Sequence, residues 1–293
     1  MFSDLDFLNY EYNMNHRHRG HCVIFNQEHF DPSLSIPTRS NSSRDVDMTM
    51  ALFKDLGFIV RVHIDLRVEG IKDILEDLAF DTNHHDCDAL VIVFMSSGDQ
   101  GILFAKDGEF KTKMLFEYFD GDQCEALVGK PKLFFIQGDR GDNFENGVKL
   151  RETRIQNPKE EAVTKSSKHV GAKSPSGGHQ LSHSSSAKKE DLYLSSLADF
   201  LICWSTTDGY FSWRNTTSGS WFIQALAHVM ARDSSSDDLC AMMVGVARHV
   251  MRHKSNCPAH ESKKQMPLFT STLRKKLFLY PKPTYPEIEA AVE

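Results

Sequence analysis

The chain has 293 residues, 40% of them hydrophobic and 25% charged, enough for one large α/β domain or two small ones around a buried core. A net charge of −6 argues against a nucleic-acid groove, which needs a basic face. No apolar run reaches ~18 residues and no basic n-region follows Met1, so neither a membrane span nor a signal peptide is expected.

Residues 1–19 read as a short flexible N-terminal arm. Cys22-Val-Ile-Phe25 is the first strand candidate, and Pro32, Pro37 and the serines up to Ser43 mark a loop. Ser43 or Asp45 can cap a helix that carries Met48, Ala51, Leu52 and Leu56 on one face and stops at Gly57. Phe58, Val60, Val62 and Ile64 alternate as a strand does, whereas Ile71, Ile74, Leu75, Leu78 and Ala79 fall at helical spacing. Ala89-Leu-Val-Ile-Val-Phe94 predicts a second buried strand, ending in Met95-Ser-Ser-Gly98. Gly101-Ile-Leu-Phe104 and the Lys106-Asp-Gly108 turn predict a hairpin at the sheet's edge, with a short helix over Met114 to Phe119.

Leu133 to Ile136 is a continuous apolar run, the pattern of a strand buried on both faces of a parallel sheet. Gln137, Gly138 and Gly141 turn the chain out at its carboxyl end, where open α/β sheets place ligand sites. From Asn143 to Lys189 the composition turns to Ser, Lys, Glu, Gly and Pro, predicting a disordered linker over 143–190. Order resumes at Leu197, with Phe200-Leu-Ile-Cys203 as another buried strand and an aromatic, polar loop from Thr207 to Gly219. Trp221, Phe222, Ala225, Leu226 and Val229 mark a helix. A second runs from about Asp237 to Arg252, with Leu239, Met242, Met243 and Val246 inward. Met266 to Tyr280 gives a last strand region, interrupted by polar residues from Ser271 to Lys276. Alternating strands and helices predict a mostly parallel sheet with right-handed crossovers.

The six cysteines show no CxxC pair and no metal-ligand spacing, which fits a reducing cytoplasmic compartment; Cys22 and Cys203 lie in apolar runs and read as small core residues. His84-His85 and the cluster from His16 to His21 read as solvated surface, because no carboxylate or thiol completes a ligand set. Neither a metal nor a cofactor is expected.

Gln137-Gly-Asp-Arg-Gly141 resembles the caspase pentapeptide Gln-Ala-Cys-Arg-Gly, whose Cys is the nucleophile. Further segments match in order: Arg39-Ser with Arg44-Asp-Val-Asp47, Ser96-Ser-Gly98, Gly129-Lys-Pro-Lys-Leu-Phe-Phe-Ile-Gln137, Ala198-Asp-Phe-Leu, Gly209-Tyr-Phe-Ser-Trp-Arg-Asn215 and Gly219-Ser-Trp-Phe222. Over residues ~10–281 the chain thus resembles the caspase catalytic domain, most closely short-prodomain effector caspases, including those of insects.

The resemblance implies an α/β three-layer sandwich: a central, mostly parallel six-stranded sheet with helices on both faces. It also implies a large-subunit region over 20–142, a small one over 191–281 and a tail over 282–293. The linker between the subunits would be cut, with Asp142 and Asp191 as processing candidates, although no clear acidic tetrapeptide ending in Asp lies between them. Dimers would form through the strand holding Met266, Pro267, Leu268, Phe269 and Thr270. Arg39, Gln137 and Arg214 align with the pocket that clamps a substrate aspartate, and two guanidinium forks suit a carboxylate. Phe211, Trp213, Asn215 and Trp221 align with the neighbouring aromatic surface, and Gly98 with the oxyanion hole.

The departures lie in the catalytic pair: Ser97 aligns with the family's His and Asp139 with its Cys. Cysteine proteolysis needs a thiolate sustained by an imidazole. A carboxylate attacks an amide poorly, and a neutral hydroxyl is no base near pH 7. An acid dyad of Asp139 with Asp142 or Asp99 would need carboxyls close enough to share a proton, which this turn does not predict. Cys124 is not expected to be a displaced nucleophile, since the resemblance implies a surface cysteine in its segment. The expectation is therefore a chain that is not an enzyme, a pseudoenzyme regulating an active effector caspase by heterodimerisation or loop ordering. Self-pairing is the other dimer expected. The alternatives are a decoy that titrates caspase inhibitors or activators, and a residual Asp-specific peptidase. A negative charge at the oxyanion position should weaken binding of substrate-like peptides.

Overall fold

Residues 9–149 and 194–282 are described by the computed structural model, and there the apolar runs become the strands of one sheet. In chain order the elements are β1 (His21–Asn26), α1 (Ser43–Asp55), β2 (Ile59–Ile64), α2 (Val68–Glu76), β3 (Leu90–Met95), β4 (Gly98–Asp99), β5 (Ile102–Phe104), β6 (Glu109–Lys111), α3 (Met114–Glu117) and β7 (Lys132–Gln137). After the linker come β8 (Phe200–Trp204), β9 (Arg214–Asn215), β10 (Gly219–Ser220), α4 (Trp221–Asp233), α5 (Leu239–Val250), β11 (Asn256–Cys257), β12 (His260–Glu261) and β13 (Leu268–Ser271). The main sheet runs β13-β8-β7-β3-β1-β2. Its strands pair parallel except at β13, which is antiparallel to β8.

Successive strand residues point to opposite faces, and the core divides accordingly. Cys22, Ile24, Val91, Val93, Leu133, Phe135, Leu201 and Cys203 face α1, α4 and α5, packing with Phe53, Phe222, Leu226, Met242 and Val246. Val23, Phe25, Ile92, Phe94, Phe134 and Ile136 face the other way, onto Ile71 and Leu75 of α2 and Leu115 of α3. This is the expected three-layer α/β sandwich, and β1, β3 and β7 read as unbroken apolar runs because both their faces are covered. Among the described residues no helix is long and apolar enough to cross a membrane.

Three local readings are corrected. The helix α1 has Ser42 as its N-cap residue with no side-chain cap bond. Asp45 is buried and turns away from the helix end: its carboxylate accepts from the Ser220 amide (2.7 Å) and hydroxyl (2.5 Å). Cys124 is not at the surface but 2% exposed, its thiol donating to the Ala79 carbonyl at 3.2 Å. His84 is not solvated surface but fully buried.

Within the N-terminal arm Tyr12 is buried, its hydroxyl donating to Asp199 at 2.6 Å, and Arg19 is 2% exposed. At the start of the linker, Asn143 bridges Tyr210 and Glu145 bridges Lys264, while residues 150–190, like Asp191, lie outside the described residues. The tail beyond 282 also lies outside them.

Candidate active site

Parallel register places Asn26, Met95 and Gln137 side by side at the carboxyl ends of β1, β3 and β7. The loops leaving these strands, together with the loop after β8, enclose a cleft of about 440 Å³. Arg39, Ser97, Gln137, Asp139, Phe211, Trp213 and Arg214 all line it, so residues spread over 176 positions of sequence meet at one site. This is the position that sheet topology favours for a ligand.

Arg39 is 7% exposed and is oriented by bonds from Nη1 to Asn26 Oδ1 (3.2 Å) and the Gln27 carbonyl (2.7 Å). Burial pulls its pKa down to about 10, so it stays charged. Arg214 Nη1 donates to the Ser40 carbonyl at 2.5 Å. Gln137 Nε2 donates to Ser212 Oγ at 2.7 Å, and its buried Oε1 has no partner among the described residues. Two guanidinium groups thus converge on one cleft beside the Gln137 amide, and the guanidinium donors suit a carboxylate.

Asp139 stands at the head of this cleft, its Oδ1 accepting from the Ser212 amide at 2.8 Å. Burial raises its pKa to about 6, and nearby Asp142 adds to the rise. The Ser212 amide and the positive fields of Arg39 and Arg214 oppose it. Ser97 lines the same cleft, its carbonyl accepting from the Phe104 amide at 3.1 Å. Gly98 lies against the loop that carries Asp139: a Cβ there would sit 2.6 Å from the Asp139 carbonyl oxygen. Only glycine permits that approach.

The aromatic positions separate. Phe211 and Trp213 form a wall, ring centroids 5.2 Å apart and edge-on. Trp221, the first residue of α4, is buried behind Trp213, with centroids 5.9 Å apart. Asn215 does not line the cleft; its Oδ1 accepts from the amides of Thr217 and Ser218 and fixes the β9–β10 turn. Residues without a motif also contribute. Gln265 Oε1 accepts from the Trp213 amide at 2.6 Å, Phe144 packs on Phe211, and Cys257 is exposed at the cleft's wall. Ser212 sat within a matched segment with nothing to mark its bond to Asp139; Cys257 and Gln265 carried no local signal at all.

Elsewhere, Asp142 is exposed near the exit of β7, and β13, with Leu268, Phe269 and Thr270, forms one edge of the main sheet just after Met266 and Pro267. The reading that no thiol completes a histidine ligand set is also corrected: the ligand atoms of His21, His84 and Cys87 all lie within 4.8 Å of one another.

Residues 19–278 match the family model of the caspase domain, peptidase C14. Caspase-1 of Spodoptera frugiperda is 37% identical over 270 residues, 91% of this chain and 80% of that protein. Caspase-1 of Drosophila melanogaster is 36% identical over 280 residues, covering 93% and 77%. Caspase-6 of Gallus gallus is 35% identical over 276 residues, covering 93% and 84%. The crystal structure of Spodoptera frugiperda caspase-1 superposes with a TM-score of 0.80 at 33% identity, covering 97% of each chain. These likenesses overturn the expectation that the chain is not an enzyme, since relatives matched across nearly its whole length bear the names of caspases and the model is that of a peptidase. With fold, cleft and sequence in agreement, the chain belongs to the caspase family.

Proposed function

We propose that this caspase-family chain regulates an active effector caspase by pairing with it and biasing its loops, Asp139 and Ser97 standing where the resemblance puts the family's Cys and His. The observation that carries the reading is Asp139, a carboxylate held by the Ser212 amide at the head of a cleft that keeps both arginines and Gln137. Caspase-family chains commonly dimerise, and β13 offers an edge strand with Leu268 38% exposed and Met266, just before it, 39% exposed. Edge strands are templates for pairing with another chain. Pairing changes a partner's activity only if the dimer favours one of its loop arrangements. In this reading 20–142 and 191–281 act as large and small regions in a cytoplasmic protein, and cleavage at Asp142 or Asp191 would free them. Occupation of caspase inhibitors through the same surface belongs to the same family of binding roles.

A second reading is Asp-directed peptide hydrolysis by the chain itself, favoured by kinship with named caspases and by a carboxyl whose pKa of about 6 suits proton transfer. One titration separates the two. An active effector caspase is assayed on a fluorogenic Asp peptide with increasing amounts of this chain, beside a lane with the chain alone. A rate that departs from the sum of the two lanes run separately supports regulation and gives its sign. Turnover in the control lane supports hydrolysis, and an unchanged rate in both overturns direct regulation.

A further inference from the structure

We propose that His21, His84 and Cys87 form a binding site for one transition-metal ion, zinc by its donor set, at the end of the sheet opposite the cleft. His21 opens β1 and Asn26 closes it, so strand rise alone sets the two sites about 16 Å apart.

The three ligand atoms lie within 4.8 Å of one another, and a tetrahedral zinc with ordinary Zn–N and Zn–S bonds separates its ligands by about 3.3–3.6 Å. Contraction by about an ångström, through side-chain rotation, closes that gap. Two imidazoles and a thiolate select zinc over calcium or magnesium, which take oxygen ligands.

The polar atoms argue for an ion more strongly than the spacing does. His84 is fully buried, and its Nε2 lies 2.6 Å from the Leu78 carbonyl. A carbonyl only accepts, so Nε2 carries the proton and Nδ1 holds a bare lone pair, which finds no partner among the described residues. His21 Nδ1 is likewise buried and without a partner among the described residues. Orphaned buried polar atoms are rare, and two on the imidazoles of one cluster call for an unseen partner. A histidine that donates one nitrogen to a carbonyl while presenting the other is also the arrangement by which proteins orient metal-bound imidazoles. Burial lowers both imidazole pKas, His21 to about 4, so both rings are neutral and able to ligate.

The scaffold is firm. Cys87 N–H donates to the His84 carbonyl at 3.0 Å, Cys87 bridges His18, and Lys130 Nζ donates to the carbonyls of His84 (2.5 Å) and His85 (2.7 Å). Among the described residues Cys87 Sγ makes a single long hydrogen-bond contact, 3.7 Å to the Asn83 carbonyl, weak enough to give up. Lys130 and Arg61 oppose a dication here, while Asp77 near His21 and Asp86 near Cys87 favour it, as does the thiolate that the metal would create. Exposed His18, within electrostatic reach of His21, or a water would complete the tetrahedron.

The test uses the full chain without an affinity tag, stripped with a chelator and reloaded with Co²⁺ or Zn²⁺. We expect one equivalent of zinc to survive competition by a chromogenic chelator, and cobalt to give a thiolate charge-transfer band. That band persists in Cys240→Ser and Cys257→Ser and is lost in Cys87→Ser. X-ray absorption of the zinc-loaded wild-type chain, which needs no variant to fold, should count one sulfur and at least two imidazole nitrogens. Absence of retained zinc, absence of the band, or a shell without sulfur would overturn the site.

Discussion

Asp139 accepts one backbone hydrogen bond and feels two arginines, yet burial wins and its pKa rises to about 6 from an ordinary 3.8. Between those two values the folded chain binds the proton more tightly than the unfolded one, so stability falls as pH rises through that window. The full difference corresponds to about 3 kcal/mol, and partial solvent access reduces it to about 1–2 kcal/mol. Asp139→Asn keeps an acceptor for the Ser212 amide and removes the buried charge. Thermal unfolding should therefore give a higher Tm than wild type at pH 8 and an equal one near pH 3.5. A lower Tm at pH 8 would mean that the arginines outweigh desolvation. The same neutralisation should strengthen binding of an Asp peptide aldehyde, by removing a negative charge from a cleft lined by Arg39 and Arg214.

At the scale of elements, the main strands were legible because β1, β3, β7 and β8 are short apolar runs and each helix shows one apolar stripe. Contacts that cross the chain were not. Asp45 looks like a cap when only its neighbours are considered, but its partner Ser220 lies 175 residues away. Nothing near Cys87 in sequence points to His21, since strand pairing brings them together. The grouping of Arg39, Gln137 and Arg214 was legible only through resemblance, and the expectation of a non-enzyme leaned on Ser97 and Asp139 against the likeness of the whole chain. Two elements can be tested directly. Gly219 has φ +96° and a Cβ there would lie 2.5 Å from Asp45 Oδ1, so Gly219→Ala should displace that carboxylate from Ser220 and cost about 2–4 kcal/mol in denaturant unfolding. Leu268→Lys puts a charge on the exposed edge strand β13 and should change monomer stability by no more than about 0.5 kcal/mol. If β13 is the pairing strand, the sedimentation coefficient of a mixture with an active caspase should fall to that of the separate chains.

For the whole molecule, the segments near the two ends are tied to the sheet by buried ion pairs. Asp199 receives the Tyr12 hydroxyl and the Arg274 guanidinium (2.9 and 3.1 Å), joining residues distant in the sequence. Asp88, fully buried, bonds Arg19 Nη1 at 3.2 Å and His16 Nδ1 at 3.0 Å, and Lys282 Nζ also contacts it. Arg19 is itself 2% exposed and reaches on to the carbonyls of Leu56 and Tyr280. Such a pair adds little net stability when intact, because desolvation offsets attraction, but removing one partner leaves a buried charge unpaired. Asp88→Ala should therefore cost about 3–5 kcal/mol. The loss should exceed that of the double variant Asp88→Ala with Arg19→Met, which removes both charges and keeps an apolar stem. Urea unfolding of the three proteins measures the difference. Equal stability of single and double variants would mean that water enters to solvate Arg19, and that the segments near the two ends are held by packing and not by this charge.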